Sequence, residues 1–135
     1  MFILVAIITA GIANAAYLYW QGLEKQRRDR PMFCPVGGEC EKVVFSRFGT
    51  ALGAKNEIWG LAYYLSLLLL LGIFMVYPPL SHEALFLIFL VSGFAVLFST
   101  YLFFLQILVL RDYCSWCILA TVINYLIFAG EALFL

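Results

Sequence analysis

The chain has 135 residues, of which 65% are hydrophobic and 12% are charged, whereas soluble domains are about 45–50% apolar and about 25% charged. Its eight Lys and Arg balance its eight Asp and Glu, so it lacks the basic excess that binds nucleic acid and the net charge typical of disordered chains. The length permits one domain. Composition therefore excludes a soluble domain, a nucleic-acid-binding protein and a disordered chain, and it indicates a membrane protein.

The first predicted element is a membrane-spanning helix over residues 2–23, which carry no charged side chain. A charge near the bilayer centre costs roughly 2.5–3.5 kcal/mol even on insertion scales. About 20 apolar residues suffice to cross a hydrocarbon core of about 30 Å. The segment lacks the basic leader of a signal peptide, so we expect it to be retained.

Residues 24–57 form the one long polar segment, which we interpret as a redox loop outside the membrane. It holds seven of the eight basic residues and two of the four cysteines, Cys34 and Cys40. Pro35 and the two glycines that follow it predict a loop between these cysteines. Residues 40–52 mix apolar and charged side chains at a spacing that predicts a short helix at the membrane interface.

Two further spanning helices are predicted over residues 58–77 and 84–110. Pro78 and Pro79 cannot continue the first of them, so we expect a short turn through residues 81–83 and an antiparallel helical hairpin. The second exceeds the length of one crossing, so we expect it to tilt or to project beyond the bilayer.

The fourth predicted helix, residues 114–134, begins with the motif Cys114-Ser-Trp-Cys117. The first sulfur of such a motif lies near the positive end of the helix, which lowers its pKa and favours thiol–disulfide exchange. At 100° per residue, Thr121 and Asn124 fall on the same stripe as both cysteines. The predicted fold class is therefore all-α, a polytopic four-helix membrane bundle formed by a single domain.

Four crossings return the chain to its starting side, so the redox loop and the Cys-x-x-Cys motif share one membrane face. Two dithiols on one face could pass electrons from an outside protein to a lipid-soluble acceptor. Two fixed structural disulfides or a four-thiolate zinc site would use the same cysteines. Asn14 and Gln106 are polar groups within spans, and we favour interhelical hydrogen bonds over a ligand site for both.

Nearly the whole chain resembles the vitamin K epoxide reductase homologues, which are four-helix membrane oxidoreductases that pass electrons from thiols to quinones. DsbB-type quinone reductases carry their cysteine pairs in the reverse order. The residues that carry the resemblance are the loop pair Cys34 and Cys40, the segments Phe-Ser-Arg-Phe-Gly at 45–49 and Asn-Glu-Ile-Trp-Gly at 56–60, and the motif at 114–117.

The resemblance implies a role for each cysteine. Cys34 exchanges with the partner protein, Cys40 passes electrons to Cys114, and Cys117 lies beside the quinone ring. The implied activity is quinone-dependent disulfide formation.

The resemblance also implies a quinone site. Asn56 would hydrogen-bond a quinone carbonyl, Ser46 matches a hydroxyl position near the active site, and Phe48 and Trp59 match aromatic positions of the pocket. Vertebrate members use a tyrosine four residues after the motif, where this chain has Thr121, so we expect a respiratory quinone such as menaquinone or ubiquinone. Asn56 could instead cap the second helix, and the aromatic residues could be interfacial.

We expect a separate thioredoxin-fold protein as partner, because some relatives carry such a domain fused and this sequence does not. The cysteine side of the membrane holds all eight Lys and Arg and the other side none. The positive-inside rule therefore predicts a multi-pass cell-membrane protein with a cytoplasmic cysteine face. The alternative is the periplasmic or extracellular face of most homologues.

Overall fold

Four long helices make up most of the protein. A computed structural model describes residues 2–29, 34, 42, 45–46, 50–51, 53–111 and 113–135. Each helix is long and apolar enough to cross a membrane, and together they confirm the predicted all-α membrane fold. The helices are α1 (Phe2–Arg28), α2 (Asn56–Val76), α3 (Ser81–Phe104) and α4 (Ser115–Phe134).

Helix α1 continues five residues beyond its predicted end at residue 23. Two ion pairs between side chains four residues apart support this last turn, Lys25 with Asp29 at 3.1 Å and Arg28 with Glu24 at 3.7 Å. Basic residues in a last turn also interact favourably with the helix dipole. The charge pattern that marks the membrane boundary therefore does not end the helix.

The hairpin between α2 and α3 forms as predicted, but its turn is shorter. Val76 is the last residue of α2, and Pro78–Leu80 form one turn of 3-10 helix. Helix α3 then begins at Ser81 instead of residue 84. Both prolines fit a 3-10 turn because its first residues need no backbone donor.

Helix α3 ends in an irregular segment. The residues that follow it, Leu105–Leu110, have π-helical hydrogen bonding, and Arg111 adopts the left-handed conformation with φ 55°. Short π segments often occur at functional sites. Here the segment leads directly to the Cys-x-x-Cys motif.

A small antiparallel hairpin precedes α2, and the sequence did not predict it. It pairs β1 (Thr50–Ala51) with β2 (Ala54–Lys55), and Gly53 supplies the positive φ of 83° that the turn requires. The helix predicted over residues 40–52 is therefore wrong at its C-terminal end, where strand pairing takes the backbone hydrogen bonds. Most of the remaining segment lies outside the described residues.

The four helices form a ring in which α1 and α3 each pack against both α2 and α4. Apolar side chains from every helix meet in the core, among them Ile8, Leu67, Ile88 and Ile127. The outer surface is also apolar, and many of its large side chains are more than half exposed. Such a surface is suited to lipid, in agreement with a membrane bundle.

Close packing of α1 on α2 depends on Gly11. A Cβ atom at this position would lie 2.6 Å from two ring carbons of Tyr64. With the ring seated there, the Tyr64 hydroxyl donates to Asn124 Oδ1 of α4 at 2.7 Å. The Asn124 amide in turn donates to the Ser99 hydroxyl of α3. This buried network links three helices at the level of the cavity described below.

Candidate functional site: a dithiol beside a membrane cavity

Cys114 and Cys117 lie at the start of α4, and both are free thiols. Cys114 is the N-cap residue, and its sulfur accepts a hydrogen bond from the Cys117 backbone N–H at 3.3 Å. A hydrogen bond from the Cys117 side chain, together with the N–H groups of Cys117 and Trp116, lowers the pKa of the Cys114 thiol against the opposing effect of burial. Because thiolates and not thiols take part in thiol–disulfide exchange, the lowered pKa favours exchange chemistry at Cys114.

Only one of the two motif cysteines lines the cavity described below. Cys117, Thr121 and Asn124 form part of its wall, whereas Cys114 is fully buried and does not line it. The predicted single stripe is therefore wrong for Cys114. As the N-cap, it has an extended backbone with φ −114° and ψ 116°, so the helical angle of 100° per residue does not apply to it.

Two polar side chains hold the backbone of the motif. The Gln106 side-chain oxygen accepts a hydrogen bond from the Cys114 N–H at 3.0 Å. The Asn14 amide donates to the Trp116 carbonyl oxygen at 3.1 Å, which joins α1 to α4. The predicted interhelical hydrogen bond of Asn14 is confirmed. Gln106 also forms a hydrogen bond to another helix, at Cys114, the N-cap residue of α4. Both residues also line the cavity.

The loop sulfur of Cys34 lies against the start of α4. Its Sγ atom is 3.3 Å from the Ser115 hydroxyl oxygen, and its side chain packs against the cluster of Leu18 and Cys114. Cys34 is disulfide-bonded. The loop and the motif therefore meet on one face, as the topology predicted, while Cys40 lies outside the described residues.

A cavity of about 570 Å³ opens between the four helices beside Cys117. Small-molecule sites commonly enclose about 300–1,000 Å³ with mainly apolar walls and few polar groups, and this cavity has both properties. Phe48 lies outside the described residues. The other predicted site residues on its wall are Ser46, Asn56, Trp59, Cys117 and Thr121.

Three of these residues have contacts that bear on their predicted roles. Asn56 is the first residue of α2 and not its cap, because Lys55 occupies the cap position without a side-chain hydrogen bond; the capping alternative is therefore wrong. Trp59 is 43% exposed and also contributes to the cavity wall. The Thr121 hydroxyl donates to the Cys117 carbonyl oxygen at 3.1 Å, which leaves its oxygen as an acceptor toward the cavity.

The sequence reasoning missed Glu57 and Tyr63 as parts of this wall. Glu57 is buried in the first turn of α2, and it lines the cavity beside Asn56. A carboxyl at the very start of an apolar span was the available signal. Tyr63 could be recognised only as an interfacial aromatic residue, because its contacts depend on how α2 and α3 pack.

The sequence of the chain also matches a known protein family. A sequence profile of the Vitamin K epoxide reductase family matches residues 2–131, nearly the whole chain. The match covers all four helices, the loop cysteines and the motif at the start of α4. From this match and from a dithiol set beside a membrane cavity, we conclude that the chain belongs to the vitamin K epoxide reductase family.

Proposed function

We propose that the protein is a quinone-linked thiol oxidoreductase that generates disulfides. In general, its family couples thiol–disulfide chemistry in membranes to quinones. One observation carries the proposal for this chain: Cys117 is a free thiol in the wall of an apolar cavity, while the disulfide-bonded Cys34 packs against the cluster that contains Cys114.

The proposed electron path begins at a separate thioredoxin-fold partner. Its dithiol reduces the loop pair through Cys34 and becomes a disulfide. The reduced loop pair then exchanges with the motif through Cys40 and Cys114, which leaves Cys114 and Cys117 as thiols and restores the loop disulfide. The structure has a disulfide-bonded Cys34 and two free motif thiols, which corresponds to the state before quinone reduction.

The second half of the reaction takes place in the cavity. Cys114 and Cys117 together lose two electrons and two protons and form a disulfide, while the quinone gains two electrons and two protons and becomes the quinol. In this proposal Cys117 donates electrons to the ring. The Asn56 amide stabilises negative charge that develops on a carbonyl oxygen.

The walls of the cavity suit a lipid quinone. They are mainly apolar and come from all four spanning helices, so a ring with a long apolar tail can enter from the bilayer. We propose menaquinone or ubiquinone as the acceptor, with Ser46, Phe48, Trp59 and Thr121 around the ring. Thr121 is shorter than the tyrosine of vertebrate members, which argues against vitamin K epoxide as the substrate.

The test is quinone reduction by the purified full-length protein with Cys117→Ala as the variant. We expect wild-type protein reduced by dithiothreitol to convert a short-chain ubiquinone to the quinol with loss of its own thiols. Cys117→Ala should abolish this reaction and retain the helical circular dichroism spectrum. Turnover in the variant would disprove Cys117 as the donor.

The same preparation distinguishes the zinc-binding or structural alternative. Among the described residues no group of three His, Cys, Asp or Glu side chains could hold a metal. Stoichiometric zinc in the purified protein, with thiols that ignore quinone, would favour a zinc-binding subunit. Thiols that ignore quinone in metal-free protein would favour a structural subunit.

We propose that the cysteine face is cytoplasmic. All eight Lys and Arg lie on that side in the sequence, and loops of this length follow the positive-inside rule. Alkylation of intact cells with a membrane-impermeant maleimide after mild reduction tests this orientation. We expect the cysteines to be labelled only after the membrane is permeabilised. Labelling in intact cells would place the cysteine face outside the cell.

A further inference from the structure

Glu131 is a carboxyl group buried inside the membrane-spanning part of α4. It is 2% exposed, and its Oε1 atom accepts a hydrogen bond from the Ser92 hydroxyl of α3 at 2.6 Å. Its Oε2 atom is buried and has no hydrogen-bond partner among the described residues. A carboxyl in such a position is costly, and in membrane proteins it commonly marks a proton path.

A short hydrogen-bonded chain connects this carboxyl to the cavity. The Tyr63 hydroxyl of α2 donates to the Ser92 hydroxyl at 3.5 Å, and Ser92 donates to Glu131. Tyr63 lines the cavity beside Cys117, Ser92 does not line it, and Glu131 lines a separate small void. These hydrogen bonds thus connect the proposed quinone site to the part of the bundle that the redox chemistry does not use.

The position of Glu131 along α4 places it toward the other membrane face. It lies 16 residues after Ser115, or about 24 Å along the axis at 1.5 Å per residue, and three residues before the helix ends at Phe134. Leu4 of α1 packs over this region, because the missing side chain of Gly130 leaves room for it. The cysteines and this carboxyl therefore lie toward opposite faces.

We propose that Glu131, Ser92 and Tyr63 form a proton relay that supplies the quinone with a proton from the membrane face opposite the cysteines. The inference rests on the proposed function. When both hydroxyls turn toward the cavity, protonated Glu131 passes its proton to Ser92, Ser92 passes one to Tyr63, and Tyr63 donates to the reduced quinone. The hydrogen-bond directions in the structure are those that this transfer leaves behind. Glu131 then takes up a proton from its own face.

The reaction remains balanced with this relay. The two thiols still release two electrons and two protons, and the quinone still gains two of each. One proton reaches the quinone through Tyr63, so one thiol proton leaves at the cysteine face instead. Each turnover therefore moves one positive charge across the membrane.

The surroundings of Glu131 leave few other groups that could carry this proton. The side chains that face it across a small void come from α1, α2 and α3 and are apolar: Leu4, Ile8, Leu67, Leu71 and Ile88. Leu135 lies beside it at the end of α4. Tyr63 is the titratable side chain at the other end of the hydrogen-bonded chain that runs through Ser92.

The relay predicts a proton movement that can be measured in vesicles. The full-length protein is reconstituted with a short-chain ubiquinone, with pyranine trapped inside and with valinomycin and potassium to prevent a membrane potential. Glutathione added outside does not cross the bilayer, so it drives only molecules whose cysteine face points outward. We expect wild-type protein to raise the internal pH by consuming one internal proton per quinone reduced.

Variants separate proton transfer from packing. Glu131→Gln retains the shape and a hydrogen-bond acceptor but cannot carry the proton, and Ser92→Ala interrupts the chain. Both should abolish the internal pH change, and both should slow single-turnover quinone reduction by tenfold or more in detergent. The matched control is Thr100→Val, because Thr100 shares a hydrogen bond with Tyr125 that also joins α3 to α4 but lies outside the cavity wall. This control should behave as wild type.

The outcomes distinguish the relay from the proposed activity. Quinone reduction by wild-type protein with no internal pH change would overturn the relay and leave the oxidoreductase assignment in place. So would a Glu131→Gln variant that consumes internal protons as wild type does. A wild-type protein that reduces no quinone would overturn the proposed function itself.

Discussion

Replacement of Gln106 by Met tests how the protein holds its reactive cysteine. The Gln106 side chain is 4% exposed, and its oxygen accepts the Cys114 N–H at 3.0 Å, while Cys114 itself is 0% exposed. Met has a similar length and no comparable acceptor, so the substitution leaves a buried N–H group without a partner. A buried N–H group without a hydrogen-bond acceptor costs about 1–3 kcal/mol of free energy in the closed structure. At 1.4 kcal/mol per factor of ten, the open state of this backbone should become roughly 5- to 140-fold more populated.

Amide hydrogen exchange measures this change directly. Protein labelled with ¹⁵N-cysteine gives resonances from its four cysteines, and the signal lost in Cys114→Ala identifies the relevant amide. In Gln106→Met we expect exchange at the Cys114 amide to accelerate by the factor above and quinone reduction to slow. Gln21→Met is the matched control, because Gln21 is also buried but bonds to Tyr17. Equal exchange rates in the two variants would refute the reasoning.

Three further outcomes follow from the structure. Because a hydrogen bond from Cys117 lowers its pKa, Cys114 should remain a thiolate to lower pH than N-acetylcysteine does. Since Cys114 is fully buried, its ¹³Cβ chemical shift across pH checks this without a reagent that must reach the sulfur, and an ordinary titration profile would contradict it. Gly11→Ala should lower the free energy of unfolding by about 1–3 kcal/mol, because the added Cβ atom would meet the Tyr64 ring. Gly72→Ala is the control and should not lower it, because a Cβ atom at that position meets open space. Thermal unfolding in detergent compares the two variants. Asn56→Ala should lower kcat/KM for quinone reduction about two- to twelvefold, as expected for the loss of one hydrogen bond, and an unchanged kcat/KM would remove Asn56 from the site.

Much of the fold could be predicted because lipid imposes a simple rule on the sequence. Charged side chains are excluded from the bilayer centre, so the nearly charge-free segments identified all four spanning helices. The predicted ends were less accurate. Helix α1 continues through Arg28 because ion pairs across one turn stabilise a helix outside the membrane as well. The short hairpin before α2 depends on Gly53 and on pairing between strands of two residues, which leave little pattern in the sequence.

The candidate site, too, could be predicted from the sequence only in part. Spacing alone predicted a reactive pair at Cys114 and Cys117, and the structure places Cys114 at the start of a helix, as that prediction requires. Spacing could not indicate that Cys117 lines the cavity and Cys114 does not, since the N-cap residue leaves the helical geometry. Nor could it indicate that Gln106 holds the Cys114 backbone, because that bond depends on the irregular end of α3.

The sequence by itself determined the membrane-spanning segments, their number and the meeting of Cys34 with the Cys-x-x-Cys motif on one face, because hydropathy and chain direction are properties of segments. Only the tertiary structure decided which polar groups meet inside the bundle. Tyr63, Ser92 and Glu131 come from three different helices, and their contact depends on the rotation and depth of each helix in the ring. Side-chain packing between the helices fixes both of these quantities, and no single segment contains that information.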